Sequence, residues 1–304
     1  MKKSICAFII FFHIGFLVQA QAKHHKPIRV LIVDGYSNHD WQQTTKMVTQ
    51  ILGKSGLFTI STSTAPANPT DSTAWASWDP HFGKYDVVIQ NTNNIQAPKL
   101  KWPRRIQQQL ENYVKSGGGL YVLHSANNAY PDWEEYNKMI GLGWRSKNYG
   151  YALVVDSLGR IDSIPPGQGQ ETYHNDRSNL LITILNAHPI NKGYPKQWFT
   201  PDVELYRFAR GPAQNLTVLS YAKDPLTGIN WPVEWVLKYG KGHVYVSSMG
   251  HLWKGDIYPL GYRCVGFQTT MIRAAEWLGS GKVTYSVPEN FPTTTNISLI
   301  DDKK

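Results

Sequence analysis

Cysteine is nearly absent from this sequence. The 304 residues include two, Cys6 and Cys264. Cys6 falls in a segment that reads as a cleaved leader, so the mature chain keeps one thiol and no intramolecular disulfide is expected. Long apolar runs are also scarce. The run from Ile5 to Val18 is short of the roughly 18 residues of a membrane span, and no other stretch approaches that length. No stable membrane anchor is therefore expected. Lys and Arg total 31 against 22 Asp and Glu, yet no run of five or six like charges occurs. A scattered excess of this kind supports solubility, and it lacks the basic stripe of a nucleic-acid binder. Several catalytic signatures are missing as well. There is no G-x-S-x-G, no G-x-x-x-x-G-K-[ST] and no dinucleotide fingerprint after the first strand, which argues against a serine hydrolase, a P-loop NTPase and a Rossmann dehydrogenase. Cys264 has no evident histidine partner, so a cysteine nucleophile is not expected.

What is present begins with the leader. Lys2 and Lys3 precede the apolar run, and Ala20 and Ala22 supply an A-x-A-like exit, so residues 1–22 read as a secretory signal peptide without a lipoprotein anchor. The mature protein is expected to be periplasmic or secreted. Hydrophobic residues make up 41% and charged residues 17%, enough apolar material for one large α/β domain or two small ones sharing a core. The aromatic residues lean to Trp (11) and Tyr (17) over Phe (10). Such side chains pad cores, and they also suit half-wet sugar-binding clefts.

Strand and helix alternate through the first half. Residues 28–33 form an apolar strand ending at Asp34-Gly35, followed by a helix from about 42 to 56 and a strand at 57–63. A loop rich in Pro, Ser and Thr then reaches about residue 83. A strand at 85–90, a helix opened by Pro103 and ended by Gly117–Gly119, and a strand at 120–123 complete the series. This order implies right-handed βαβ units and a mostly parallel sheet. The second half is less regular. Strands are expected at 149–156, 180–185, 203–208, 216–222, 233–239 and 244–248, with a loop at 186–202 and a closing helix at 267–278. The domain is expected to run from 23 to 292, with a flexible tail at 293–304.

In an open parallel sheet, ligands gather beyond the carboxyl ends of the strands. The first strand delivers His39-Asp40-Trp41, the third Asn91 to Asn94, and the fourth His124 followed by Asn127. Asp40 is equally a helix N-cap, and Asn91 to Asn94 reads as turn chemistry. His124 sits at a strand tip before a helix, an elbow where reactive groups are often placed. Later histidines are His174, His188, beside Pro189 in what reads as a turn, and His251 just past the 244–248 strand. Glu204 and Glu234 lie at or within later strands. None shows the close spacing of a self-announcing metal site, so a site would have to be assembled from distant segments.

Several motifs resemble the ThuA-like, or trehalose-utilisation, family within the class I glutamine amidotransferase-like superfamily. They are N-H-D-W at 38–41, Y-D-V-V at 85–88, G-G-G-L-Y-V-L-H-S-A at 117–126, W-E-E-Y at 133–136 and I-G-L-G-W at 140–144. H-P-I at 188–190, V-E-L-Y at 203–206, P-V-E-W at 232–235, Y-G-K-G at 239–242 and G-H at 250–251 follow in order. The resemblance implies a flavodoxin-like three-layer sandwich, elaborated in the C-terminal half, and a role in disaccharide or keto-sugar catabolism. It also implies that glutaminase activity is absent. His124 stands where an amidotransferase has its nucleophilic cysteine, and the Glu two residues past the late histidine is missing.

The resulting expectation is a carbohydrate ligand and a site where His39, His124 and His251 converge. Asp40 and Glu204 would be carboxylate partners in acid/base work. The three imidazoles would also be candidate ligands for a divalent ion such as Zn²⁺. Trp41, Asn127, Trp133 and Trp144 are the candidate substrate-binding residues. A non-catalytic carbohydrate-binding protein with the same cleft is the alternative, and a homo-oligomer is compatible with either.

Overall fold

The computed structural model describes residues 26–300, so the expected leader lies outside the described residues. The first half follows the alternation: β1 (Ile28–Asp34), α1 (Trp41–Lys54), β2 (Phe58–Thr64), α2 (Ser72–Ser77), β3 (Val87–Gln90), α3 (Arg104–Lys115), β4 (Gly119–Leu123) and α4 (Glu134–Ile140). The second half adds β5 (Tyr151–Val155), β6 (Ile161–Ile164), β7 (Ser178–Ile184), β8 (Gln197–Val203), β9 (Arg210–Gly211), β10 (Leu216–Lys223), β11 (Asn230–Tyr239) and β12 (Gly242–Ser247). It closes with α5 (Leu260–Arg263) and α6 (Val265–Ser280).

The sheet runs β2-β1-β3-β4-β12-β11-β10-β7-β8, with β5, β6 and β9 as a side branch. From β2 to β12 every pairing is parallel. From β12 to β8 every pairing is antiparallel. Four reversals bring β8 back to the direction of β12. The carboxyl ends of β1, β4, β12 and β8 therefore share one edge of the sheet. The order reverses between β1 and β3, which makes that edge a topological switch point.

Both faces are covered, which explains why the central strands are continuous apolar runs rather than alternating ones. Val30 and Ile32 of β1 pack with Val48, Ile51 and Leu52 of α1 and Phe267 and Met271 of α6. Leu31 and Val33 face the other way, toward Ile106, Leu110 and Val114 of α3 and Tyr136 and Met139 of α4. The result is the expected three-layer α/β sandwich with a mostly parallel centre and an elaborated second half.

Two expectations of the second half are corrected. The segment 186–202 is not all loop, because β8 occupies its end and stops at Val203, where a strand was expected to begin. Pro201 disguised it, since proline argues against a central strand. β8 lies at the end of the sheet path, where a missing N–H is tolerated. The tail expected from 293 is tied to the body as far as residue 300. Phe199 N donates to Thr293 O (2.9 Å), Val265 N to Ser298 O (3.0 Å) and Ile300 N to Arg263 O (2.8 Å). This strap covers the edge that β8 would otherwise expose.

One buried cation braces the turn that follows β4. Arg145 is 3% exposed. Its guanidinium donates to Asn137 Oδ1 (2.7 Å) and to the carbonyls of Asn127 (3.3 Å), Asn128 (3.2 Å), Ala129 (2.7 Å) and its neighbour Trp144 (2.7 Å). Burial pulls its pKa down to about 10, which leaves it charged at neutral pH. Arg145→Met would strand several buried carbonyls at once, and an unmet buried acceptor costs about 1–3 kcal/mol. Urea unfolding should show a loss of at least about 3 kcal/mol. A loss below about 1 kcal/mol would show that the turn holds itself.

Candidate functional site

His124 follows β4 directly and takes a left-handed backbone conformation, φ 42°. Histidine is among the residues enriched there, yet the position still carries strain. Its Nδ1 lies 2.6 Å from Ser248 O. A carbonyl has no proton to give, so Nδ1 carries the hydrogen and Nε2 keeps its lone pair. That lone pair faces Glu204 Oε2 and Tyr206 Oη, each at 3.4 Å.

His39 is set by the loop after β1. Gly35 opens that loop at φ 131°, and a Cβ there would lie 2.2 Å from Ala65 O, so only glycine fits. Asn93 Nδ2 donates to Asn38 Oδ1 (2.6 Å), which fixes the oxygen as an acceptor, and His39 Nδ1 donates to the same oxygen (3.0 Å). The Asn91 to Asn94 turn thus orients His39 through Asn38. His39 Nε2 is left buried and without a hydrogen-bond partner. Burial, reinforced by His124 and His251, pulls the His39 pKa down to about 2, so the ring is neutral.

His251 arrives from β12 through Gly250, whose φ of 102° lets the chain turn in. The loop is stitched to the first by Asp40 N donating to Leu252 O (3.1 Å). Arg177, which can only donate, lies 3.4 Å from His251 Nδ1, and His251 Nε2 lies 3.1 Å from Glu204 Oε1. Burial lowers the His251 pKa, and Glu204 offsets part of that shift. Glu204 stands one residue past β8. Burial alone would raise its pKa, but the imidazoles of His124 and His251 beside it hold it well below the usual carboxylate range.

The three imidazole centroids are 5.0, 5.0 and 5.2 Å apart. One donor atom from each of His39, His124, Glu204 and His251 lies within 4.8 Å of every other, and all four residues are buried. The group is short of protons for its lone pairs. His39 Nε2 has no hydrogen to accept, and His124 Nε2 faces a carboxylate oxygen with only the Tyr206 hydroxyl, at 3.4 Å, to donate to it. A cation or an added proton is what such a donor set lacks, and three nitrogens with one carboxylate suit a transition ion.

A cleft of about 390 Å³ opens onto this group, walled by His39, Glu204, His251, His174, Trp144 and Trp253 among others. His124 lies beneath the wall rather than on it. His174, a third exposed at its side chain, aims Nε2 at Glu204 Oε1 (3.4 Å), while its Nδ1 donates to Asn175 O (2.7 Å). Tyr206 packs between the rings of His124 and Trp144, with centroids 5.3 Å from each.

Of the residues singled out in the sequence, His39, His124, Glu204 and His251 meet, and Trp144 joins them on the wall. Asp40 is instead the N-cap of α1, accepting from Gln43 N at 3.0 Å. Trp41 is the first residue of that helix and lies off the wall. Trp133 is core, packed with Trp102 and Tyr136 and donating to Glu111 Oε1 at 2.8 Å. Asn127 is fully buried behind the elbow. The reading did not select His174, Tyr206, Asn128 or Trp253 as site residues. Two of these carry a local signal: Tyr206 and Trp253 each stand two residues past a cluster member.

A family model described as ThuA, trehalose utilisation, matches residues 29–278. A ThuA-like protein from Parabacteroides merdae, known from its crystal structure, is 30% identical with a TM-score of 0.83, over 90% of this chain and 98% of that one. Another, from Bacteroides uniformis, is 18% identical with a TM-score of 0.54, over 86% of this chain and 98% of that one, and bears on the fold alone. No curated protein matches the sequence. With the family model spanning most of the chain and the Parabacteroides structure following it nearly end to end, the chain belongs to the ThuA family.

Proposed function

We propose that this is an exported enzyme of carbohydrate catabolism that works on a disaccharide or keto-glycoside at the three-histidine, one-carboxylate centre. The observation that carries the reading is the buried, partnerless Nε2 of His39 facing a group already rich in lone pairs. Burying such an atom is unfavourable unless something with a positive charge or a hydrogen meets it. A divalent ion such as Zn²⁺, held by His39, His124, His251 and Glu204, would supply Lewis acidity to a sugar carbonyl or hydroxyl oxygen.

The chain's own groups account for proton movement. His174 Nδ1 is committed to a carbonyl, so the lone pair of Nε2 is free, and that ring reaches the cleft. It can accept a proton from the carbon beside a keto-sugar carbonyl, and the Glu204 carboxylate nearby steadies the imidazolium that forms. His124 acts from below, keeping its Nε2 turned to Glu204 through the bond to Ser248 O. Trp144 and Trp253 offer ring faces to the apolar side of a sugar and shield the centre from water.

Protein stripped by a chelator and titrated with Zn²⁺ in a calorimeter should take up one ion. His39→Ala and His251→Ala should each weaken that uptake at least about 100-fold, given the loss of one of four ligands. No uptake by wild type, or unchanged uptake by both variants, removes the metal from the site.

His174→Ala separates proton transfer from metal binding. Turnover of a keto derivative of trehalose should fall by about 10²–10⁴, with the metal content unchanged. Turnover equal to wild type would take His174 out of the chemistry. For export, mass spectrometry of material recovered outside the cytoplasm should place the mature N-terminus next to Ala20 or Ala22. Finding Met1 on that material would refute the leader.

A further inference from the structure

Beside the cleft over the histidine centre lies a second chamber of similar size, about 400 Å³. The two share three lining residues, Ile95, Asn128 and Trp144. Each alone sits near the lower end of the roughly 300–1,000 Å³ range of small-molecule pockets, while the two joined fall within it. The second chamber holds no member of the histidine group. Its walls include Glu171, the ion pair of Lys101 with Asp132 (2.6 Å) and, besides Trp144, the ring of Tyr149.

The junction supplies the independent sign of a ligand. Asn128 is 5% exposed, and its side-chain Oδ1 has no hydrogen-bond partner among the described residues. Its backbone is not free to relieve this, because Arg145 holds the carbonyls of Asn127, Asn128 and Ala129. A buried amide oxygen without a donor is costly, and a ligand hydroxyl crossing between the chambers would satisfy it. Trp144 stands at the same point, its ring edge-on to His174 and to Tyr206 at 5.4 and 5.3 Å. Those contacts hold it as a fixed partition rather than a movable flap.

We propose that the second chamber is a subsite for the distal ring of a two-ring sugar. The reacting ring lies over the histidine centre, Asn128 Oδ1 accepts from a hydroxyl near the linkage, and Tyr149 offers its face to the distal ring. This rests on the carbohydrate reading above and adds to it where the second ring goes and which residues select it. Arg145 lies over the Tyr149 ring at 5.8 Å, which keeps that ring at the chamber wall. Tyr149 lines this chamber alone and is not one of the four clustered residues.

The test is calorimetric binding of trehalose and of glucose to the protein as purified, with wild type, Tyr149→Ala, Asp132→Asn and Trp253→Ala. Wild type should bind trehalose at least tenfold more tightly than glucose. Tyr149→Ala and Asp132→Asn should each weaken trehalose by about three- to tenfold and leave glucose within twofold. Trp253→Ala, altering the first chamber, should weaken both sugars. If trehalose and glucose bind wild type equally, or Tyr149→Ala and Asp132→Asn leave trehalose unchanged, the second subsite is overturned. In that case glucose binding that still falls in Trp253→Ala leaves the reading of the histidine centre standing. If neither sugar binds wild type, the carbohydrate reading falls and this subsite with it.

Discussion

A buried carboxylate is tolerated only where its lone pairs are met, since the desolvation penalty is several kcal/mol per ion. Glu204 is 7% exposed and stands at the carboxyl end of an edge strand. The imidazoles around it come from elsewhere: His251 from β12 donates its Nε2–H, while His124 from β4 and His174 from the segment before β7 turn lone pairs toward it and leave room for a proton or a cation. Each depends on its own strand running the right way and stopping at the right residue. The site is thus a set of donor atoms that exists only when the ends of β1, β4, β12 and β8 lie at one sheet edge. Moving β8 by one residue would turn Glu204 to the opposite face and leave the imidazoles without their anion.

The elbow at His124 shows how strain and orientation are joined. A left-handed φ costs of order 1–3 kcal/mol unless the surroundings impose it. Here the bond to Ser248 O ties the ring to the strand-end segment beyond β12, and the Arg145 guanidinium grips the carbonyls of the following turn. The same bond selects the tautomer, so backbone geometry decides which nitrogen can act. Because the imidazole lies under the cleft wall, it completes the group from below, while the histidine whose free Nε2 belongs to a ring lining the cleft is His174. The two histidines use one device, an Nδ1–H spent on a backbone carbonyl, for two different tasks.

Aromatic residues divide along the same line. Trp102, Trp133, Tyr130 and Tyr136 form a packed cluster on the α3 and α4 face, and their polar atoms are turned inward, as when Trp133 donates to Glu111. Trp144 and Trp253 are the ones left partly open at the strand-end edge. Composition flagged a Trp- and Tyr-rich chain but cannot separate these groups, since both pair an apolar body with a polar handle.

The apolar runs of β1, β3 and β4, the helices between them and the placement of His39 and His124 after strand ends were legible in the sequence, because local periodicity and turn chemistry dictate them. His251 past a late strand was legible for the same reason, and the family motifs carried the three-layer architecture. What only the tertiary structure decided depends on long-range pairing. Proline at 201 hid β8, and only its position at the sheet edge makes that residue acceptable. The four reversals that return β8 to the direction of β12 cannot be read from periodicity, yet they bring Glu204 to the histidines. Asp40, Trp41 and Trp133 carry the right chemistry, but helix capping and core packing use it, a choice made by neighbours distant in sequence. His174 lies in an irregular segment with no pattern of its own. It becomes part of the site through Glu204, thirty residues later, because only the folded chain brings its free Nε2 to that carboxylate.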